Sequence, residues 1–169
     1  DCLADSWLLP EKTSYFSADK RYRLEVIPKG ADRSASPTAR SILNVRGSQG
    51  RYRKVAAFPL VNEVAPVSAL VTSSGRYVIT FDNWSSVGYG DSVVVIYRGD
   101  GTLIRKFALE DLLTVGDIGT LPISTSSRWW GRGHCIVGDG SQVALFVRAS
   151  GGAANPVERS IELRIDLET

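Results

Sequence analysis

Nucleophilic or metal chemistry in this chain would depend on one histidine, His134. Any Ser-His-Asp or Cys-His mechanism would have to use that side chain. Cys135 follows it directly in a predicted strand, where consecutive side chains point to opposite faces, so the two residues are badly placed to act as a pair. No G-x-S-x-G elbow, His-Glu-x-x-His motif or phosphate-binding loop occurs in the 169 residues. The sequence therefore predicts no catalytic set, no metal centre and no cofactor.

Two carboxylates offer a different chemistry. Asp82 and Asp91 bound a ten-residue polar connection between two predicted strands, and they could approach one another where that connection closes. Together with Asn83 and backbone carbonyls they could bind Ca²⁺, because hard cations take oxygen ligands. As an acid and a base they could instead hydrolyse a glycosidic bond. The interpretation that the sequence favours is structural: both aspartates cap turns by accepting hydrogen bonds from nearby backbone N–H groups.

Large aromatic side chains occur in the same connection and in a later segment, 126–133. In that segment two adjacent tryptophans in extended chain would place one ring inside and one outside. Exposed aromatic rings beside arginine are the side chains that dominate protein interfaces, and they would equally suit stacking on a sugar ring. The alternative is that the rings pack in the core or cover strand ends. The predicted binding residues are Asp82, Asn83, Trp84, Tyr89, Asp91, Arg128, Trp129, Trp130 and Arg132.

The elements that would position these side chains are strands. Val93–Tyr97 is a run of five apolar residues, which indicates a strand covered on both faces. Ser73-Ser74-Gly75 and Gly99-Asp100-Gly101 supply the residues that reach positive φ cheaply, as tight hairpins require. Residues 66–109 are therefore predicted to form a four-strand antiparallel meander.

The flanking segments are weaker copies of this unit. The pair Arg21-Tyr22 matches Arg76-Tyr77 at an offset of 55 (76 − 21), which gives a first unit over roughly 14–58. A looser third unit covers roughly 133–165 and lacks a fourth strand, which residues 1–10 could supply through Trp7-Leu8-Leu9. Repeats of about fifty residues with four strands each are typical of propeller blades, although three units could also close as a barrel or sandwich. We expect a single all-β domain over 1–169, built from three consecutive antiparallel β-meander repeats.

The central unit also carries a wider pattern. Gly75–Trp84, Gly88–Tyr97, Leu109–Leu113 and Ser126–Gly131 together resemble a run shared by uncharacterised bacterial secreted proteins. The resemblance implies an exported all-β protein. It brings no activity and no catalytic residues with it.

Composition and the cysteine count limit the cellular compartments and the classes of partner that fit this sequence. The chain is 43% hydrophobic and 22% charged, as ordinary soluble domains are, and no apolar run approaches the roughly 18 residues of a membrane span. A net charge of +2 with dispersed basic residues argues against nucleic acid. The chain begins at Asp1 and contains no Met, as expected after removal of a signal peptide. Its two cysteines, Cys2 and Cys135, would then be oxidised to one disulfide.

These observations favour a periplasmic or secreted, non-catalytic binding module. We expect it to engage a protein partner through one loop end of its sheets, in the manner of a periplasmic inhibitor or immunity protein. Recognition of glycan or peptidoglycan through the same aromatic rings is the alternative, and a hydrolase using Asp82 and Asp91 is a weaker one.

Overall fold

A computed structural model describes residues 8–32, 36–150 and 158–168, without the side chains of 149, 150, 158 and 159. These residues form three separate antiparallel sheets, each with its strands in chain order. The first sheet contains β1 (Thr13–Phe16), β2 (Tyr22–Ile27), β3 (Arg40–Arg46) and β4 (Tyr52–Pro59). The central sheet contains β5 (Ser68–Val71), β6 (Tyr77–Phe81), β7 (Val94–Arg98) and β8 (Leu103–Phe107). The third sheet contains β9 (Gly131–Val137), β10 (Gln142–Ser150) and β11 (Glu158–Asp166).

The predicted all-β fold class and its three consecutive meanders are confirmed. The only helical elements in the described ranges are a 3₁₀ turn at Leu109–Asp111 and a one-turn helix α1 at Val115–Gly119, both between the central and third sheets. No helix in these ranges is long and apolar enough to cross a membrane.

The central sheet is covered on both faces, as the apolar run in β7 predicts. One face packs on the first sheet, where Val95 and Tyr97 lie against Leu24 and Phe58. The Tyr97 hydroxyl ends this face by accepting a hydrogen bond of 2.8 Å from the backbone N–H of Val61. Alternate residues face the third sheet, so that the hydrophobic core continues on both sides of one strand. The members of this second cluster include Ile79, Phe81, Ile96, Leu109, Val143, Leu145 and Leu167.

Stacking of the sheets gathers their turns at two opposite ends. We call the end formed by residues 82–91 and 121–131 the loop end. The opposite end is the hairpin end, formed by residues 17–22, 72–76, 98–102 and 137–142. The hairpins of the first and central sheets approach so closely there that a Cβ on Gly75 would lie 2.3 Å from the ring of Tyr22. Glycine at this position is therefore required by packing as well as by its φ of +68°.

The structure corrects two expectations about closure. The sheets stack as separate blade-like layers, and within the described residues no ladder of strand pairs joins one sheet to another, so they do not form a closed barrel. Leu8 and Leu9 are exposed and outside any strand, so they do not supply a fourth strand to the third sheet. Trp7 lies outside the described residues.

The structure describes one of the two cysteines of the predicted disulfide. Cys135 is an exposed free thiol on β9, and Cys2 lies outside the described residues. Cys135 pairs in register with Ala144, whereas its neighbour His134 pairs with the core residue Leu145. Because side chains alternate along a strand, the Cys135 thiol points away from the core into solvent.

Candidate functional site

The connection 82–91 is held closed by its first residue. Asp82 has a φ of +56°, which turns the chain sharply at the end of β6. Its backbone N–H donates to the carbonyl of Val93 (2.8 Å), and its carboxylate Oδ1 accepts from the backbone N–H of Gly88 (2.7 Å). This confirms for Asp82 the turn-capping role that the sequence favours.

The same carboxylate fastens the connection to the third sheet. The indole Nε1 of Trp130 donates to both oxygens of Asp82, at 3.1 Å each, and the Trp130 side chain is buried. The backbone of Arg128 adds a second tie, because its N–H donates to the carbonyl of Val87 at 2.9 Å. The contact is tight enough that a Cβ on Gly88 would lie 2.6 Å from the carbonyl oxygen of Arg128. The two aromatic segments singled out in the sequence therefore form one continuous structure.

Burial perturbs the two titratable groups next to this junction. Removal from water raises the pKa of Asp82 to about 6, against the hydrogen bonds from Gly88 and Trp130 that favour its ionised form. Burial likewise lowers the pKa of His134 to about 4, so that its imidazole is neutral at physiological pH. The His134 ring stacks on Phe81 with a centroid separation of 3.7 Å and an interplanar angle of 14°.

A small cavity of about 190 Å³ opens between these groups. Its walls include Phe81, Asp82, Trp129, Trp130 and His134, so that it is largely aromatic with a carboxylate and an imidazole at its edge. We call it the loop-end pocket. Pockets that bind small-molecule ligands typically enclose about 300–1,000 Å³. The loop-end pocket is therefore of a size to receive one side chain rather than a whole substrate.

Trp129, which forms part of the pocket wall, also presents a surface to solvent together with Tyr89, and the half-buried Arg128 lies beside them. Trp129 is 42% exposed and Tyr89 is 39% exposed. The guanidinium of Arg128 lies 5.0 Å from the centroid of the Tyr89 ring, within the range of a cation–π contact. We call Tyr89, Arg128 and Trp129 the loop-end surface. The exposed Trp129 beside the buried Trp130 is the alternation predicted from their adjacency.

The other predicted binding residues are placed differently. Trp84 is half-buried, and its Nε1 donates to the carbonyl of Leu8 at 2.8 Å. Asn83 donates from Nδ2 to the hydroxyl of Ser92 at 3.0 Å, which ties the two ends of the connection together. Arg132 is exposed on β9. Trp84 therefore ties the connection 82–91 to the chain at Leu8, and Asn83 ties the start of the connection to its end.

The two aspartates do not form a pair. Asp82 is buried on Trp130, whereas Asp91 is exposed and its carboxylate accepts a hydrogen bond from Lys106, which holds the pKa of Asp91 below its ordinary value. Within the described residues no group of three or more His, Cys, Asp or Glu side chains is placed to hold a metal ion. The geometry therefore supports neither a shared cation site nor an acid–base pair at Asp82 and Asp91.

Sequence reasoning missed Ser68, whose hydroxyl lies 3.3 Å from Nε2 of His134. This is the contact of a Ser-His pair, but within the described residues no carboxylate bonds the other ring nitrogen of His134. In a Ser-His-Asp triad the carboxylate stabilises the imidazolium that forms when histidine accepts the serine proton. Such a carboxylate is not hydrogen-bonded to His134 within the described residues. No local signal marks Ser68, because the contact joins residues 66 positions apart in the chain.

Comparison with known proteins adds one distant likeness. No protein-family model and no curated protein matches the chain. Among solved structures, the periplasmic gluconolactonase PpgL of Pseudomonas aeruginosa is similar to it with a TM-score of 0.43 and 13% sequence identity. The match covers 92% of this chain and 39% of that one, so this chain spans about two fifths of the length of the lactonase.

Proposed function

We propose that this chain is a non-catalytic, exported binding module that engages a protein partner through the loop-end surface. The observation that carries the proposal is the exposed ring of Trp129 beside a preformed pocket of about 190 Å³. Energetically dominant interface residues are enriched in Trp, Tyr and Arg and lie next to pockets that accept a partner side chain. The loop-end surface has all three of these residue types.

The rigidity of the surface supports the same conclusion. Asp82 fixes the connection through Gly88 and Trp130, and Arg128 is tied by its backbone to Val87. A surface that is ordered before binding loses little conformational entropy when a partner docks, so more of the contact energy appears as affinity.

The charge at the surface favours an acidic or carbonyl-rich rim on the partner. The guanidinium of Arg128 lies over the ring of Tyr89, and within the described residues its buried Nε has no hydrogen-bond partner. A partner that inserts one apolar side chain into the loop-end pocket and presents a carboxylate to Arg128 would satisfy both features. An exported inhibitor or immunity-type protein that blocks another envelope protein is consistent with this arrangement.

Cross-linking from a position beside the surface tests the proposal. Ile123 is 70% exposed, and its backbone forms a bridge with Arg128, so a photo-reactive residue placed there faces the docked partner without replacing any residue of the surface. The control position is Leu103, which is 45% exposed on β8 next to the hairpin end. We expect one discrete protein adduct from position 123 in the cells that produce the chain, lost on Trp129→Ala, and none from position 103. Equal adducts from both positions, or an adduct that survives Trp129→Ala, would contradict the proposal.

Glycan recognition is the second candidate, and the exposed ring of Trp129 is the observation that favours it. Stacking of a sugar on this ring would quench its fluorescence and would not need the loop-end pocket. Titration with peptidoglycan fragments should therefore quench the wild-type protein and leave Trp129→Ala unchanged if glycan is the ligand. No saturable quenching at millimolar glycan would exclude it.

A further inference from the structure

The hairpin end contains a polar groove that the loop-end surface does not use. Two adjoining hollows of about 580 Å³ each share Gly75, Gly99 and Asp100 as common walls. One hollow extends between the central and third sheets as far as Glu168, and the other extends over the first sheet as far as Arg53. Each hollow falls within the size range of small-molecule sites, unlike the loop-end pocket.

The floor of the groove is formed by the half-buried glycines Gly75 and Gly99. A Cβ on Gly99 would lie 2.0 Å from the carbonyl oxygen of Gly75, so only glycine lets the two hairpins meet. The backbone N–H of Gly99 donates to the carbonyl of Arg76 at 2.7 Å, which fixes the hairpins against each other. Because neither glycine has a side chain, the turns of the first and central sheets can pack directly against each other beneath the groove.

Four arginines line the two hollows: Arg21, Arg53, Arg76 and Arg98. Two carboxylates, those of Asp100 and Glu168, lie with them, which leaves an excess of two positive charges in the groove. The whole chain has a net charge of +2, so the residues outside the groove are balanced and the positive excess is concentrated here.

Both carboxylates already have partners. Glu168 pairs with Arg76 at 3.2 Å and accepts from the hydroxyl of Tyr77 at 3.3 Å. Asp100 accepts from the backbone N–H of Thr102 at 2.9 Å within its own turn, and Arg98 is near enough to help lower its pKa. Within the described residues no ion pair to a carboxylate forms at Arg21, Arg53 or Arg98, so their guanidinium groups remain available to a ligand. Guanidinium forks bind carboxylate and phosphate oxygens in a bidentate way.

We propose that this groove binds an anion with two or more phosphate or carboxylate groups that spans both hollows. Arg53 in one hollow and Arg98 in the other would each hold one anionic group. The same groups could belong to a free small molecule or repeat along a polymer, and the length dependence of binding separates these sources.

Calorimetric titration with pyrophosphate and with citrate, at about 0.02 M and about 0.15 M salt, tests the proposal. We expect binding that weakens at the higher salt, because the contacts are between exposed charges. Arg53→Gln and Arg98→Gln should each weaken binding about tenfold, the loss expected for one charge-assisted contact. Arg105→Gln, an exposed arginine on β8 outside the groove, is the matched control and should change nothing.

A second test is a substitution that should increase the affinity of the groove for anions. Asp100→Asn keeps an oxygen that can accept from Thr102 and removes one of the two negative charges in the groove. Binding of pyrophosphate should therefore tighten several-fold. Tighter binding of polyphosphate than of pyrophosphate, per mole of groove, would identify a polymer as the natural source, and equal binding would identify a small anion. Failure of pyrophosphate, citrate and polyphosphate to bind below about 1 mM, or binding indifferent to Arg53, Arg98 and Asp100, would overturn the proposal.

Discussion

Replacement of Asp82 by asparagine tests whether a buried charge controls the loop end. Asp82→Asn keeps the shape of the side chain and one oxygen that can accept from Gly88 and Trp130. Asparagine also tolerates the φ of +56° better than most residues. The substitution therefore removes the titration of the group and leaves the packing of the connection in place.

The magnitude follows from the raised pKa. In the unfolded chain an aspartate has a pKa of about 3.9, whereas in the folded protein burial raises the pKa of Asp82 to about 6. The folded state therefore binds the proton more tightly, and its stability is highest below about pH 4 and falls as pH rises towards 6. A difference of about two pKa units corresponds to about 3 kcal/mol in total, of which about 2 kcal/mol is lost between pH 4 and pH 7.

The assay is chemical denaturation followed by tryptophan fluorescence across this pH range, with wild type and Asp82→Asn measured side by side. Groups with lowered pKa, such as Asp19, Asp91 and Asp139, change stability in the opposite direction but do so equally in both proteins. The stability of the variant relative to wild type should therefore rise by about 2 kcal/mol from pH 4 to pH 7. A difference that stays constant with pH, or that falls, would refute the assignment of a buried carboxylate at this junction.

Three further substitutions test the packing around the loop end and the cysteine assignment. Trp130→Phe keeps an aromatic side chain but is smaller and removes the indole donor to Asp82, so it should cost at least about 1.5–3 kcal/mol in denaturation at pH 7.5. Trp129→Phe at the exposed position should cost less than about 0.5 kcal/mol. Gly88→Ala should destabilise the protein by about 1–3 kcal/mol more than the control Gly90→Ala. Both glycines have positive φ, but only a Cβ at position 88 would meet a neighbouring atom. Equal losses of stability would show that backbone strain alone matters. Cys135→Ser should leave stability unchanged to within about 0.5 kcal/mol, as expected for an exposed free thiol. A loss near 4 kcal/mol would instead indicate that Cys135 forms the disulfide with Cys2.

Strand content was predictable because hydrophobic pattern and turn chemistry agree in the central unit. The five apolar residues of 93–97 indicate a strand covered on both faces, and the structure places its residues in two separate core clusters. The way in which the three sheets pack together was harder to predict from the sequence. Stacking of separate sheets and closure as a barrel satisfy the same alternation of side chains, so the pattern along each strand does not distinguish them.

The loop end shows why single residues of a site are harder to predict. The sequence marks Asp82 and Trp130 as unusual, but the hydrogen bonds that join them connect positions 48 apart in the chain. Sequence proximity suggested Asp91 as the companion of Asp82, whereas burial and the indole donor made Trp130 its actual partner. The arginines of the hairpin end look dispersed in the sequence, and only the stacking of the first sheet on the central sheet brings four of them to one groove.

Affinity for the cross-linked partner tests the central claim most directly. Once that partner is purified, its binding to the wild-type chain, to Trp129→Ala and to the control Leu103→Ala is measured by calorimetry under identical conditions. Loss of a dominant interface tryptophan costs about 2 kcal/mol or more, which is about thirtyfold in affinity. We expect that loss for Trp129→Ala and no change for Leu103→Ala. Equal affinity of all three proteins would contradict the assignment of the loop end as the binding surface.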